Sequence, residues 1–151
     1  MGYIEEIRTL VGHRPLILVV AAVLILDKDE KVLLQERTFP KNVWGIPGGF
    51  MELGESSEET SKREVYEETG LTVDDLHFFR VYSGTEQNQA ENGDQYYTVT
   101  VMYTTSKFKG HLIVDPNESI SYQFHSPDDL PDKILNEHRT ILNDFFSHRK
   151  K

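Results

Sequence analysis

Leu16 to Leu26 is an unbroken aliphatic run, "LILVVAAVLIL", rich in Val and Ile, and predicts a strand buried on both faces. Before it, Ile4, Ile7, Leu10 and Val11 recur at helical spacing, so Tyr3 to Val11 predicts a short helix stopped by Gly12. After it, "DKDEK" turns the chain and "VLLQER" returns it, most simply as a hairpin with the first strand. Strict alternation reappears in "QYYTVTVMYTTSKF", where Tyr97, Val99, Val101 and Tyr103 share one face of a long strand. "LHFFRVYSG", "HLIV" and "SISYQFH" read as further strands. The chain closes on an amphipathic helix whose stripe is Ile134, Leu135, Ile141, Leu142, Phe145 and Phe146.

Between these elements lie polar or broken stretches. "TFPKNVWGIPGG" reads as a loop, with Pro40, Gly45, Pro47, Gly48 and Gly49 as breakers, and "TEQNQAENGD" as an exposed polar loop. "SPDDLP" predicts one helical turn capped by Ser126 with Pro127 in its first position. Ser56 followed three residues later by Glu59 forms a capping box, so a second helix starts near Ser57 and ends at Gly70. No internal repeat or linker divides the chain.

Composition narrows the class. The 151 residues carry 38% hydrophobic side chains, enough for one domain with a real core. With 16 basic and 25 acidic residues the net charge is −9, which argues against binding through nucleic-acid backbone electrostatics. There is no cysteine, hence no disulfide framework and no thiol chemistry. The six histidines lack paired spacing, so zinc is not indicated. The aliphatic run is too short for a membrane span, which needs roughly 20 residues, and it stands too far from the start for a signal peptide. A cytoplasmic protein is the expectation, with a homodimer left open.

The charge is concentrated in one place. "GFMELGESSEETSKREVYEETGL", Gly49 to Leu71, holds seven glutamates. Glu64, Glu67 and Glu68 stand at i, i+3 and i+4 of the second helix, on one face, where like charges destabilise an isolated helix. Its apolar content is little more than Val65. A cluster of hard oxygen ligands suits Mg²⁺, or Mn²⁺, in a site that also takes substrate phosphates; the alternative is a solvated acidic face.

The order of fixed residues weighs against that alternative: Gly49, five residues, Glu55, seven residues, then "REVYEETGL". This stretch resembles the Nudix box at every fixed position, and its flanks "VLLQER", "WGIPGG" and "HSPDDLP" resemble the family's as well. The resemblance implies an α/β fold of the Nudix type, an α/β/α sandwich with a mixed β-sheet and a loop–helix–loop box. It implies a metal-dependent hydrolase that cleaves a pyrophosphate bond in a nucleoside diphosphate linked to another moiety. Residues 15–148 would form that domain, with 1–14 as an N-terminal helical extension.

Carried onto this chain, the resemblance makes Glu64, Glu67, Glu68 and the carbonyl of Gly48 the metal ligands. Arg63 and Glu55 would brace the box, with Gly49 and Gly70 as its backbone supports. One more carboxylate from outside the box is expected, as ligand or base. Glu118 is the choice over Glu86, Glu91, Asp94 and Asp115. Gln87, Asn88 and Gln89 are the candidate substrate contacts, and Phe39, Trp44, Phe50, Tyr82 and Tyr96 the candidate stacking residues. His125 and His138 are read as structural or exposed. Two other functions stay open: a Nudix-fold regulatory module without turnover, and removal of pyrophosphate from RNA 5′ ends. The substrate itself is not legible. The chain has no proline between Pro47 and Pro116, no matching tyrosine at "EQN" and no proline–tryptophan motif, so three subclass signatures are missing.

Overall fold

A computed structural model describes residues 2–84, 87–117 and 119–149. The first element is helix α1, Tyr3–Val11, ended by Gly12 at φ 64. Then follow β1 (Leu16–Ile25), β2 (Val32–Arg37), β3 (Trp44–Gly45), β4 (Gly48–Phe50) and helix α2 (Ser57–Thr69). Next come β5 (Thr72–Asp74), β6 (His77–Tyr82), β7 (Asn88–Gln89), β8 (Gln95–Thr105), β9 (Lys107–Lys109) and β10 (Ser119–His125). A 3₁₀ turn, Pro127–Asp129, precedes helix α3, Asn136–Arg149.

The main sheet runs β4-β1-β8-β6, with β7 added on β8. Its centre is the parallel pair β1–β8, in register from Leu16↔Tyr96 to Ile25↔Thr105, while β4, β6 and β7 pair antiparallel. A second sheet, β10-β2-β3, packs beside it, and β5 and β9 form a small ribbon. Because side chains alternate along β1, one set points to each face. Ala22 and Leu24 join Leu34, Met102, Ile141, Leu142 and Phe145 beneath α3. Val23 and Ile25 join Leu33, Val65, Leu71, Val73 and Tyr103 beneath α2. Two helices thus enclose a mixed sheet, the α/β/α layering expected.

Three expectations fail. β1 and β2 are not a hairpin: a single bridge, Leu26↔Val32, joins their ends. The reason is that β4 and β8 occupy both edges of β1, which sends β2 to the other sheet. "HLIV", 111–114, forms no strand; it crosses exposed over the end of α2, where the Ile113 N–H donates to Thr69 O at 2.9 Å. Ile134 and Leu135 precede α3 and instead tie its start to β3, Leu135 N to Trp44 O at 3.0 Å. The loops are also partly ordered as short strands, β3, β4 and β7. No helix among the described residues is long and apolar enough to cross a membrane.

Candidate active site

The site begins with two glycines laid against β1. Gly48 pairs with Ala22, and a Cβ on it would stand 2.4 Å from the Ala22 Cβ and 2.5 Å from the Ala21 carbonyl oxygen. A Cβ on Gly49 would stand 2.3 Å from the Glu64 Cδ. At Gly48 only bare backbone can lie this close to β1, and at Gly49 the missing side chain leaves the space that the Glu64 carboxyl fills.

Helix α2 is fastened at both ends. Ser56 Oγ accepts from Glu59 N at 3.1 Å and Glu59 Oε1 accepts from Ser56 N at 2.9 Å, completing the capping box. Gly70 closes it in the left-handed conformation at φ 81. Its buried face is Thr60, Ser61, Val65 and Thr69, so it is short of apolar anchors, as its sequence indicates. Polar links compensate: Ser57 Oγ meets Tyr103 Oη at 2.5 Å, and Tyr122 Oη donates to the Glu68 carbonyl.

Arg63 organises the carboxylates. Its Nε and Nη2 donate to Glu55 Oε2 at 2.6 Å and Oε1 at 3.0 Å, a two-point fork. Nη2 also reaches the Phe50 carbonyl at 3.1 Å, and Nη1 reaches Glu64 Oε1 at 3.0 Å and Glu67 Oε2 at 3.2 Å. The Arg63 hydrogen bonds, with those from Glu52 N and Thr60, hold the Glu55 carboxyl down to about 2 against the cost of its burial. The Glu55 and then the Glu64 carboxylate in turn push the Arg63 pKa up. Glu68 turns the other way: its Oε1 accepts the Gly48 N–H at 2.9 Å. Among the described residues no three His, Cys, Asp or Glu side chains form a ready metal cage.

Glu64, Glu68, Gly48 and Gly49 line a cleft of about 580 Å³. The rest of its lining includes residues far apart in the chain: Gln35 and Arg37 from β2, Thr98 and Thr100 from β8, and Asn136, Glu137 and His138 from the first turn of α3. Glu137 accepts from Thr100 Oγ1 at 2.7 Å. His138 Nδ1 accepts the Ile46 N–H at 2.8 Å, which requires that nitrogen to be unprotonated. Burial, and then the nearby Arg37 charge, lower its pKa to about 3.

The structure therefore brings Glu64, Glu68, Gly48 and Gly49 together at the cleft, with Glu67 at the more exposed margin behind Arg63. Of the three candidate substrate contacts, Asn88 lines the cleft. Gln89 is exposed, and the Gln87 amide donates to Gln95 Oε1. Phe39, Phe50 and Tyr96 line it too, whereas Trp44 packs edge-on against His125 and Tyr82 donates to Asp144 at 2.7 Å. Glu86 and Glu118 lie outside the described residues. Asp94 is tied to Arg8 and His13, and Asp115 caps a turn at Asn117 N, 3.0 Å away. Sequence reasoning missed Gln35, Arg37, Asn136 and Glu137, which carry no local motif and meet only through the fold.

Residues 16–145 match the NUDIX domain family. The chain is 30% identical over 123 residues to an ADP-ribose pyrophosphatase of Methanocaldococcus jannaschii, covering 80% of this chain and 69% of that protein. It is 29% identical over 127 residues to a putative 8-oxo-dGTP diphosphatase of Bacillus subtilis, covering 83% and 77%. A MutT Nudix hydrolase structure from Burkholderia pseudomallei superposes with a TM-score of 0.73 at 26% identity, covering 86% of this chain and 97% of that one. The chain belongs to the Nudix family. It is a Nudix hydrolase, a pyrophosphatase of nucleotide-type substrates, in a family whose members are typically dependent on divalent metal.

Proposed function

We propose that this hydrolase cleaves the pyrophosphate bond of a nucleoside diphosphate linked to another moiety, with Mg²⁺ (or Mn²⁺) held by Glu64 and Glu68. The observation that carries this reading is their convergence, one helical turn apart, on the Gly48–Gly49 backbone beside an open cleft. The donor set fits the ion: hard carboxylate oxygens, with the Gly48 carbonyl as a further oxygen and Glu67 at the margin. An incomplete protein cage also suits an ion whose remaining positions are taken by substrate phosphates and water. Bound there, the ion would neutralise charge on the phosphoryl oxygens and polarise them for attack by water.

The chain's own residues do the rest. Arg63, anchored on Glu55, orients the Glu64 carboxylate and reaches Glu67 with the same guanidinium nitrogen. The cleft beyond the glycines is wide enough for a nucleoside, with Phe50 and Tyr96 offering faces to a base and Asn88 and Asn136 offering amide donors and acceptors. Water adds to a phosphorus, the bridging P–O bond breaks, and the leaving phosphate takes the electron pair. Glu118 remains our candidate for the base that takes the water proton.

ADP-ribose and 8-oxo-dGTP, named for the two relatives, are the first substrates to test, with nucleotide sugars beside them. Each is incubated with Mg²⁺ and with Mn²⁺ and the products identified. A nucleoside monophosphate released from at least one substrate, only with metal, is the expected result. No product from any of them would overturn turnover and leave a nucleotide-binding module.

A further inference from the structure

Helix α1 precedes the segment that matches the family, and none of its nine residues is fully buried. A helix this short is marginal in water without tertiary support, and here half-buried Ile4, Ile7 and Val11 are joined by polar ties at both ends. At its start, Tyr3 N–H donates to Glu52 Oε1 at 2.8 Å, and the N–H of Glu52 donates to Glu55 Oε1 at 3.0 Å, within the catalytic loop. At its end, the Arg8 side chain is only 9% exposed. Its Nη1 reaches the carbonyls of Gly12 at 3.0 Å and Arg14 at 2.6 Å, and its Nη2 reaches Gln95 O at 2.7 Å. Nε lies 3.5 Å from Asp94 Oδ2, and His13 Nδ1 lies 2.7 Å from Asp94 Oδ1. Gln95 N also donates to His13 O at 3.2 Å.

Asp94 and Gln95 are the return limb of the β7–β8 hairpin, whose opposed pair Asn88↔Tyr96 stands at the cleft. Tyr96 in turn packs edge-on against Phe50 at 5.4 Å, and the Phe50 carbonyl holds Arg63. We infer that α1 is a strut between the catalytic loop and the cleft-side hairpin, and that Arg8 and Glu52 are positioning residues for nucleotide binding. This rests on the cleft being the nucleotide site. The physical point is that register is weakly specified in a short polar hairpin, and Arg8 adds a fixed donor to its Gln95 carbonyl from outside.

The test measures ADP binding by calorimetry in EDTA, kcat and KM for the best substrate, and amide exchange at Ala90 and Gln95. It uses the parent, Arg8→Met and Glu52→Ala. The strut predicts that Arg8→Met weakens ADP binding and raises KM about five- to ten-fold, the scale of one or two lost hydrogen bonds, with little change in kcat. Exchange at Gln95 should accelerate. Glu52→Ala, which frees only the start of α1, should shift affinity the same way by a smaller factor, and it decides the matter if Arg8→Met does not fold. Unchanged ADP affinity and exchange in the folded variants, or no ADP binding by the parent, would overturn the strut. A parent that binds ADP but turns over nothing would instead sink the hydrolytic reading and leave the strut to be judged on affinity.

Discussion

The Glu64 carboxyl occupies the space where a side chain of residue 49 would begin: a Cβ on Gly49 would lie 2.3 Å from its Cδ. The obstacle there is the far end of a flexible side chain, so Gly49→Ala can be accommodated by turning Glu64 away. We expect little loss of melting temperature and a large loss of turnover. Gly48→Ala meets the Ala21 carbonyl at 2.5 Å, which is backbone inside a sheet and cannot yield. That variant should lose on the order of 1–3 kcal/mol by overpacking. Thermal melts and kcat of the two variants check the contrast, and equal stability losses would show that Glu64 does not set the tolerance at 49.

Glu68→Gln keeps an oxygen for the Gly48 N–H and removes the charge. The fold should survive while kcat falls about 100-fold or more, the scale on which loss of one charge-stabilising group acts. Unchanged turnover at saturating Mg²⁺ would remove Glu68 from the ligand set.

Mg²⁺ should raise the melting temperature, since an ion that binds only the native state stabilises it by mass action. At about a hundred-fold excess over Kd the gain is a few kcal/mol, and it should vanish when Glu64, Glu67 and Glu68 are all changed to Gln. Equal shifts in both proteins would place the ion elsewhere on this acidic surface.

Stability should fall in acid in two stages. The His138 pKa is lowered from 6.5 to about 3, so its contribution is complete above pH 6.5 and is lost as pH falls toward 3. Glu55 is lowered from 4.5 to about 2, so its contribution is complete above 4.5 and is lost toward 2. Melting temperature followed from pH 8 to 3 should begin to drop near 6.5 and steepen below 4.5. His138→Asn, which retains an acceptor for Ile46 N–H, should flatten the upper stage. A parent curve flat between 6.5 and 4.5 would contradict a neutral His138 acceptor.

Substrate preference should respond to Asn88 and not to Gln89, because Asn88 lines the cleft and Gln89 is exposed beside it. Asn88→Ser should change the kcat/KM ratio between two accepted nucleotides by about five-fold, the worth of one hydrogen bond. Gln89→Ser should leave it unchanged. Equal effects from both would mean the hairpin acts only through its backbone.

What the chain determined locally can be read locally. The capping box at Ser56, the left-handed Gly70 and the i, i+3, i+4 placement of Glu64, Glu67 and Glu68 depend on neighbours within one or two helical turns, and α2 runs Ser57–Thr69 as those signals require. The alternating face of β8 and the aliphatic run of β1 likewise specify strands from period and composition. Which strand lies beside which does not follow from period. The hairpin expected between β1 and β2 is absent because β8, some eighty residues later, takes one edge of β1 and β4 takes the other. The same long-range pairing sets the lining of the cleft, which Arg37, Thr100 and Glu137 share without any common motif. Arg8 shows the limit most plainly: in sequence it is one basic residue on a short helix, and only the packing of α1 against the β7–β8 hairpin places it on the Gln95 carbonyl. Hydrogen bonds and burial across such separations depend on the whole chain having closed, so local sequence carries no trace of them.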